Sequence, residues 1–410
     1  MIRLRIPGNA SGGPALVSTF FLLALAYMLY GWDRQVMPVE LVEMSRALSL
    51  TPRIAGLLAS IFTLGIAIMS VPAGLVVARA GLRLAISLSM LLFSCGTLLS
   101  GLAPDIWLLI IGRIATGMGE AVFSIALFTF TSARFPRHAG TAIGALLAVF
   151  GVSMFIGPMI VVSLQATFAT WRGPFYLFGA LGVLGALMLL IFLPRGSQDE
   201  PRAHATPQTY RWLLRPATLA TLFVAVVNGV GCYAYMSLFQ TYARLCFHIT
   251  PHDASFALGC FGIGTVLGST PIGYVLDRTN RQIGLALVVF LTGVTGMVLL
   301  RTTLTPGLAA WLSLLLGVWI SGVYGNCYAL IREQAPAQDG AFAIGVLLTV
   351  YYLGAAVAGY LFVAATGVGF SNHAWGGVTL FLVPYTLAAL GILWTAREPR
   401  RVAKQSLTRC

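Results

Sequence analysis

Charge is what this sequence lacks. About 9% of its 410 residues are charged, against roughly 25% in soluble globular proteins. Lysine is almost missing, with Lys404 the single example, and it is followed by Gln405. That excludes a G-x-x-x-x-G-K-[ST] phosphate loop, and with it an ATP-driven pump within this chain. The cysteines Cys95, Cys232, Cys246, Cys260, Cys327 and Cys410 form no C-x-x-C pair, so neither a disulfide framework nor a zinc site is indicated. His248 and His252 are four apart, but Pro251 and a loop setting argue against a helical metal pair. Gly117 and Gly119 form a G-x-G inside an apolar run with no strand before it, so a dinucleotide fold is not expected. No nucleophile–base pair stands out, and the chain is not expected to be an enzyme.

Apolar residues fill the space that charge leaves. They make up 58% of the chain, too many for one water-soluble core of this length and enough for roughly twelve bilayer spans of about 20 residues each. Twelve such runs are legible, near 15–40, 54–77, 84–103, 107–132, 139–166 and 173–194, then 216–241, 254–276, 284–301, 306–330, 341–366 and 375–396. Backbone groups in hydrocarbon have no water to bond, so these spans are expected to be helical. Their length and continuous apolarity exclude barrel strands. The first run is too long for a cleavable signal peptide and is followed by no small-residue cleavage site.

The net charge of +13 in a soluble domain would suggest nucleic acid. Here it reads as topology. With the N-terminus inside, eighteen Lys and Arg fall in cytoplasmic segments, against five on the other side (Arg46, Arg53, Arg172, Arg244 and Arg301). The asymmetry puts both termini in the cytoplasm, and no nucleic-acid partner is expected. Lack of a targeting peptide and compact length point to a bacterial inner membrane.

A polar stretch over 195–215 divides the chain into residues 1–194 and 216–410, each with six spans. The halves repeat. Gly65, Ser70, Pro72, Gly74 and Arg79 match Gly264, Ser269, Pro271, Gly273 and Arg278 at one offset of 199 residues. Parallel six-span halves are a transporter architecture, with the substrate site at the midplane between them. On these residues the chain resembles the major facilitator superfamily. The loop after the second span in that family reads roughly Gly-x-Leu-Ala-Asp-Arg-x-Gly-Arg-Arg. Gly74, Arg79, Gly81 and Arg83 match it, with Ala78 in place of the Asp; Gly273, Asp277, Arg278 and Arg281 match in the second half, with Asn280 in place of a Gly. The resemblance runs through Arg113-x-x-x-Gly117-x-Gly119 and Gly151 to Gly157-Pro158. It implies an all-α membrane protein of twelve transmembrane helices in two pseudo-symmetric six-helix bundles, a monomer among membrane lipids, with the two loops gating the inward opening.

Four ionisable residues lie within spans: Asp33, Arg34, Arg113 and Glu120. A charge at the bilayer centre costs at least about 2.5 kcal/mol, so such residues pair, face water or work. Arg113 and Glu120 are seven apart, hence on one helix face, and Arg113 is expected to hold Glu120. A structural pair network locking spans 1 and 4 together is the plain alternative. Burial favours a neutral carboxylic acid and a nearby Arg favours its ionised form, so an anion that takes over the Arg would release the carboxylate to protonate. The strings Trp32-Asp33-Arg34-Gln35 and Arg113 to Glu120-Ala121 resemble two branches: the anion:cation symporters of organic acids, and the Spinster family of lysolipid transporters. Both imply proton coupling at Asp33 and Glu120 and anion binding or gating by Arg34; beyond the resemblance, Arg34 is expected to bind the anion or clamp Asp33. The symporters carry a Tyr where this chain has Gly31; Tyr30 is one residue early and is not carried over as a sugar contact.

Further substrate-site candidates are Tyr30, Asn228, Tyr233, Asn326, Tyr351 and Tyr352. As neighbours, Tyr351 and Tyr352 are not both expected to face the cavity. A lining rich in Tyr and poor in Asn and Gln suits a small or amphipathic anion better than a sugar. The leading expectation is a proton-coupled secondary transporter of a small carboxylate, with the proton as coupling ion and no other cofactor. A proton-driven lysolipid or amphipathic drug exporter is the alternative, and a sensor or channel a more remote one.

Overall fold

The computed structural model describes residues 13–135, 138–194, 211–336 and 339–407. Most of the 195–215 linker lies outside the described residues. Among the described residues twelve helices are long and apolar enough to cross a membrane, at the positions the apolar runs predict. The first span is α1 (Gly13–Ala47). The second is broken into α2 (Pro52–Ser60), α3 (Phe62–Ser70) and α4 (Ala73–Ala80). The rest of the first half is α5 (Leu82–Leu102), α6 (Ile106–Arg134), α7 (Ala139–Phe168) and α8 (Arg172–Phe192). The second half has α9 (Pro216–Phe247), α10 (Pro251–Arg278), α11 (Arg281–Arg301), α12 (Pro306–Gln334) and α13 (Gly340–Thr366). Its last span starts as α14 (His373–Gly376), passes through a π-helical turn over Gly377–Leu382 and continues as α15 (Val383–Leu407). Because the spans are even in number, α1 begins and α15 ends on one face, the terminal face.

Local chemistry starts these helices. Asp105 caps α6 by accepting from the Leu108 amide at 3.0 Å, and Thr305 does the same for α12 through Leu308 at 3.3 Å. Thr250 caps α10 through Asp253 at 3.1 Å, with Pro251 in its first turn. Each side-chain oxygen satisfies an amide that has no partner within its own helix. The apolar faces do not close on a single core. Trp107, Trp311, Trp375, Phe192 and many Leu and Ile side chains point outward, as lipid-facing helices require.

The repeat is also a repeat of packing. A Cβ on Gly65 would sit 2.1 Å from the Ile114 carbonyl oxygen, and one on Gly264 would sit 2.1 Å from that of Leu314. The matched glycines therefore let α3 press on α6 and α10 press on α12. Small residues at such crossings let backbones approach where no hydrophobic drive joins helices in lipid. The bare recurrence of glycine in membrane helices does not explain this equivalence.

The halves meet along α7 with α10, α2 and α3 with α13, and α1 with α9. On the face opposite the termini this contact is tight. Gly56 and Gly359 face each other so closely that a Cβ on Gly359 would lie 1.8 Å from the Gly56 carbonyl oxygen. Ser60 donates to the Ala356 carbonyl at 2.9 Å, and Ser237 donates to that of Ala59 at 3.1 Å. Arg244 of α9 grips Glu43 of α1 with a two-pronged ion pair, at 2.6 and 3.3 Å.

Candidate functional site

A cavity of about 720 Å³ lies between the halves. Arg34 and Glu120 are at its depth; Thr129 of α6, Leu147 of α7, Ser321 and Tyr328 of α12 and Leu348 of α13 line it toward the terminal face. The mouth therefore opens on that face, and the tight crossings described above close the other end.

Adjacent positions on α1 point about 100° apart, and this separates the two charges of the Asp33-Arg34 pair. Arg34 turns into the cavity toward α6 and α9. Its Nε donates to Glu120 Oε2 at 2.8 Å, and its Nη2 lies in an ion pair with the same oxygen at 2.7 Å. Its Nη2 also donates to the Tyr30 hydroxyl, and the guanidinium lies 4.5 Å from the Tyr30 ring centre. Nη1 makes only a long 3.4 Å bond to the Tyr233 hydroxyl. Arg34 and Tyr233 occupy equivalent places in the repeat, 199 residues apart, and meet across the cavity.

Asp33 turns the other way, into the first half, and does not line the cavity. Its Oδ1 accepts from the Thr97 hydroxyl of α5 at 2.5 Å, and its Oδ2 has no hydrogen-bond partner. The expected clamp of Asp33 by Arg34 is therefore absent. So is the expected pairing of Arg113 with Glu120. Two helical turns separate those residues by about 10 Å along the axis, and Arg34 reaches Glu120 from the neighbouring helix instead. Arg113 is wholly buried, with no hydrogen-bond partner on any guanidinium nitrogen among the described residues. It lies 5.0 Å from the Phe62 ring centre.

Of the other candidates, Tyr30, Tyr233, Tyr351 and Tyr352 line the cavity. The expectation that only one of the last two would do so is corrected. Their rings stand perpendicular, 5.1 Å apart, and share one corner of the wall. Asn228 and Asn326 do not line it. Asn228 donates to the Ile320 carbonyl at 3.3 Å and accepts from Tyr385 at 3.4 Å; Asn326 donates to the Gly322 carbonyl at 2.8 Å. The Asn228 amide is spent on helix packing and that of Asn326 on its own helix. Trp32 packs against Phe178 of α8, away from the cavity.

The loop residues differ between halves. In the second, Arg281 joins Asp277 to Glu333 at the end of α12, and Arg278 lies over the Tyr274 ring at 4.0 Å. In the first, Ala78 and Arg134 stand at the places of Asp277 and Glu333, so the same cluster cannot form. Arg83 donates instead to the Leu190 carbonyl at the end of α8. Gly81 turns the chain between α4 and α5 with φ +77°, a positive-φ conformation that glycine adopts freely. Gly74 and Gly273 sit where an added Cβ would meet no atom within 4 Å, and Arg79 lies on the last turn of α4.

The sequence reading missed Tyr27, Ser124, Phe128 and Phe150, all of which line the cavity. Helical spacing could have found two of them: Tyr27 is two turns before Arg34, and Ser124 one turn after Glu120. It also missed Glu40, taken as the end of the first span. The helix runs on to Ala47 and Glu40 is completely buried. Gly31 is explained by packing. A Cβ there would lie 1.8 Å from Ser153 Oγ of α7, so the close approach of α1 and α7 leaves no room for a tyrosine.

Comparison with known proteins agrees with this architecture. The Major Facilitator Superfamily profile matches residues 23–359 and 221–409. The inner membrane transport protein YdhP of Escherichia coli O157:H7 is 24% identical over 364 residues, 85% of this chain and 90% of its own length. Probable anion transporter 3, chloroplastic, of Oryza sativa subsp. japonica is 26% identical over 383 residues, 82% of this chain and 73% of its own. A bacterial homolog of the human lysosomal transporter Spinster, in an inward-facing and occupied conformation, superposes with a TM-score of 0.76 at 17% identity, covering 94% of this chain and 98% of its own. With its twelve apolar helices, this integral membrane protein belongs to the Major Facilitator Superfamily.

Proposed function

We propose that the chain is a proton-coupled secondary transporter of a small organic anion, working by alternating access, with its terminal face in the cytoplasm. The observation that carries the reading is the Arg34 guanidinium at the depth of the cavity, held by Glu120 and Tyr30 while Nη1 keeps only a 3.4 Å bond to Tyr233. A guanidinium binds carboxylates through a planar fork of N–H donors. An anion docking at Nη1 from the Tyr233 side competes with Glu120 for the same cation. As Arg34 shifts toward the anion, Glu120 loses its counter-ion in a low-dielectric site, and taking up a proton is the inexpensive answer. Substrate and proton then occupy the site together. Asp33 and Arg113, behind the wall, share no hydrogen bond or ion pair but act on each other through their charges, and this exchange can influence them without substrate touching either.

Such a carrier changes state when the crossings at Gly56–Gly359 and Glu43–Arg244 part and the terminal face closes. The similarity to the rice protein named as a probable anion transporter supports the substrate class. The aromatic, largely apolar wall favours an acid with an apolar body over a polyhydroxylated one. The same wall is the observation that favours the second reading, a lysolipid or amphipathic drug exporter, whose ligand would fill more of the cavity.

A thermal-shift screen of the purified protein in detergent tests this. Its panel holds aromatic acids, sugar acids, dicarboxylates and lysophospholipids at acidic and neutral pH. A native-state ligand raises stability by mass action. Stabilisation by a small carboxylate that is lost in Arg34→Ala is the expected result. Stabilisation by lysolipids alone would transfer the assignment to the exporter.

A further inference from the structure

We propose that Glu40 is a third proton-binding site, on the closed side of the cavity, and that a proton bound there holds the face opposite the termini shut. Glu40 lies six residues beyond Arg34 on α1, about 9 Å further from the cavity mouth. Its side chain is 0% exposed, and neither carboxyl oxygen has a hydrogen-bond partner. The charged groups that act on it are Glu43 on the same helix and Arg244 on α9. Those two are spent on each other. Among the described residues the other helices touching α1 bring no cation to it: Arg113 of α6, though without a hydrogen-bond partner, acts on Asp33 and Glu120 instead. α7 carries no titratable side chain. Arg172 of α8 donates to the Gly101 carbonyl at 2.5 Å and lies over Trp171, and Arg53 of α2 is exposed.

An ionised carboxylate without partners is the costly occupant of such a site; the neutral acid is the tolerable one. Opening this face separates α1 from α9. Water then reaches Glu40, and Arg244, released from its grip on Glu43, becomes available to it. Both changes favour the ionised form. The closed arrangement thus binds the Glu40 proton more tightly than the open one, and by linkage the proton favours closure in return. The sign follows directly. Lower pH raises the closed population of this face and higher pH lowers it. Glu40 differs from Glu120 in that no substrate takes part, so the assignment stands or falls independently of which anion is carried.

The test uses the full chain in lipid nanodiscs with native cysteines replaced. Spin labels are placed at Ala47→Cys and His252→Cys, two exposed sites on the closed face, one in each half. An Asp33→Asn, Glu120→Gln background removes the other two spanning carboxylates that titrate. Distance distributions are recorded from acidic to alkaline pH. The expected result is a several-fold fall in the closed-to-open ratio as pH rises, abolished in Glu40→Gln, which stays closed throughout. Glu40→Met, apolar and of similar length, gives a second reading with the same expectation. An unchanged pH response in either variant, or no response in the parent, overturns the assignment.

Discussion

Removing the Glu120 carboxylate should reveal which arginine it holds. Glu120 is 0% exposed and Arg34 8% exposed, and their ion pair has contacts of 2.7 and 2.8 Å. Breaking a fully buried pair from one side costs about 3–5 kcal/mol, because the abandoned charge keeps its desolvation penalty. The cavity beside this pair admits water, and Tyr30 still accepts from Arg34, so the loss in Glu120→Gln should be smaller, about 1–3 kcal/mol. Arg34→Met should cost a similar amount. The double variant abandons no charge and should recover part of the loss, leaving a coupling of about 1–3 kcal/mol in a double-mutant cycle. The assay is unfolding of the purified protein in detergent, with the four proteins compared under one protocol. The cycle built on Arg113→Met and Glu120→Gln should show much weaker coupling, since Arg113 touches no oxygen of Glu120. Additive effects in the Arg34 cycle, or stronger coupling in the Arg113 cycle, would refute the pairing described here.

Gly359→Val should force α2 and α13 apart and shift the protein toward opening of the face opposite the termini, read as a longer distance between spin labels at positions 47 and 252. Tyr233→Phe removes one of the hydroxyls facing Arg34 Nη1; binding of the stabilising carboxylate should weaken several-fold, measured by calorimetry, while thermal stability changes little. Gly31→Tyr, which restores the residue of the organic-acid symporters, should lower stability severely because Ser153 occupies that space, and Ser153→Gly should recover part of the loss in the same unfolding assay. Arg281→Ala should loosen the ends of α10 and α12, seen as faster amide exchange over 325–334, while Arg83→Ala should loosen α5 and α8 instead.

Much of the fold was legible because a bilayer leaves few choices. A run of about twenty apolar residues admits helix and little else, so every span fell near its expected place. The repeat was legible because Gly65 and Gly264 serve the same crossing in each half, and a crossing that tolerates no Cβ keeps its glycine. The pairing of the charges was not legible. Spacing placed Arg113 and Glu120 on one face, but the partner came from another helix, and no intrahelical period encodes that. The asparagines misled for a related reason. Asn228 and Asn326 looked like ligand contacts by composition, yet Asn228 satisfies a backbone carbonyl of a neighbouring helix and Asn326 one of its own helix. Glu40 was missed because the hydropathy of the first run fades near residue 40 while the helix continues.

Proton flux driven by substrate tests the account most directly. The protein is reconstituted into vesicles holding a pH-sensitive dye, and the carboxylate that stabilises it is added outside without any imposed gradient. The account predicts substrate-dependent acidification of the interior, lost in Glu120→Gln while exchange of labelled for unlabelled substrate persists. Transport of the carboxylate with no accompanying proton movement, or acidification undiminished in Glu120→Gln, would contradict it.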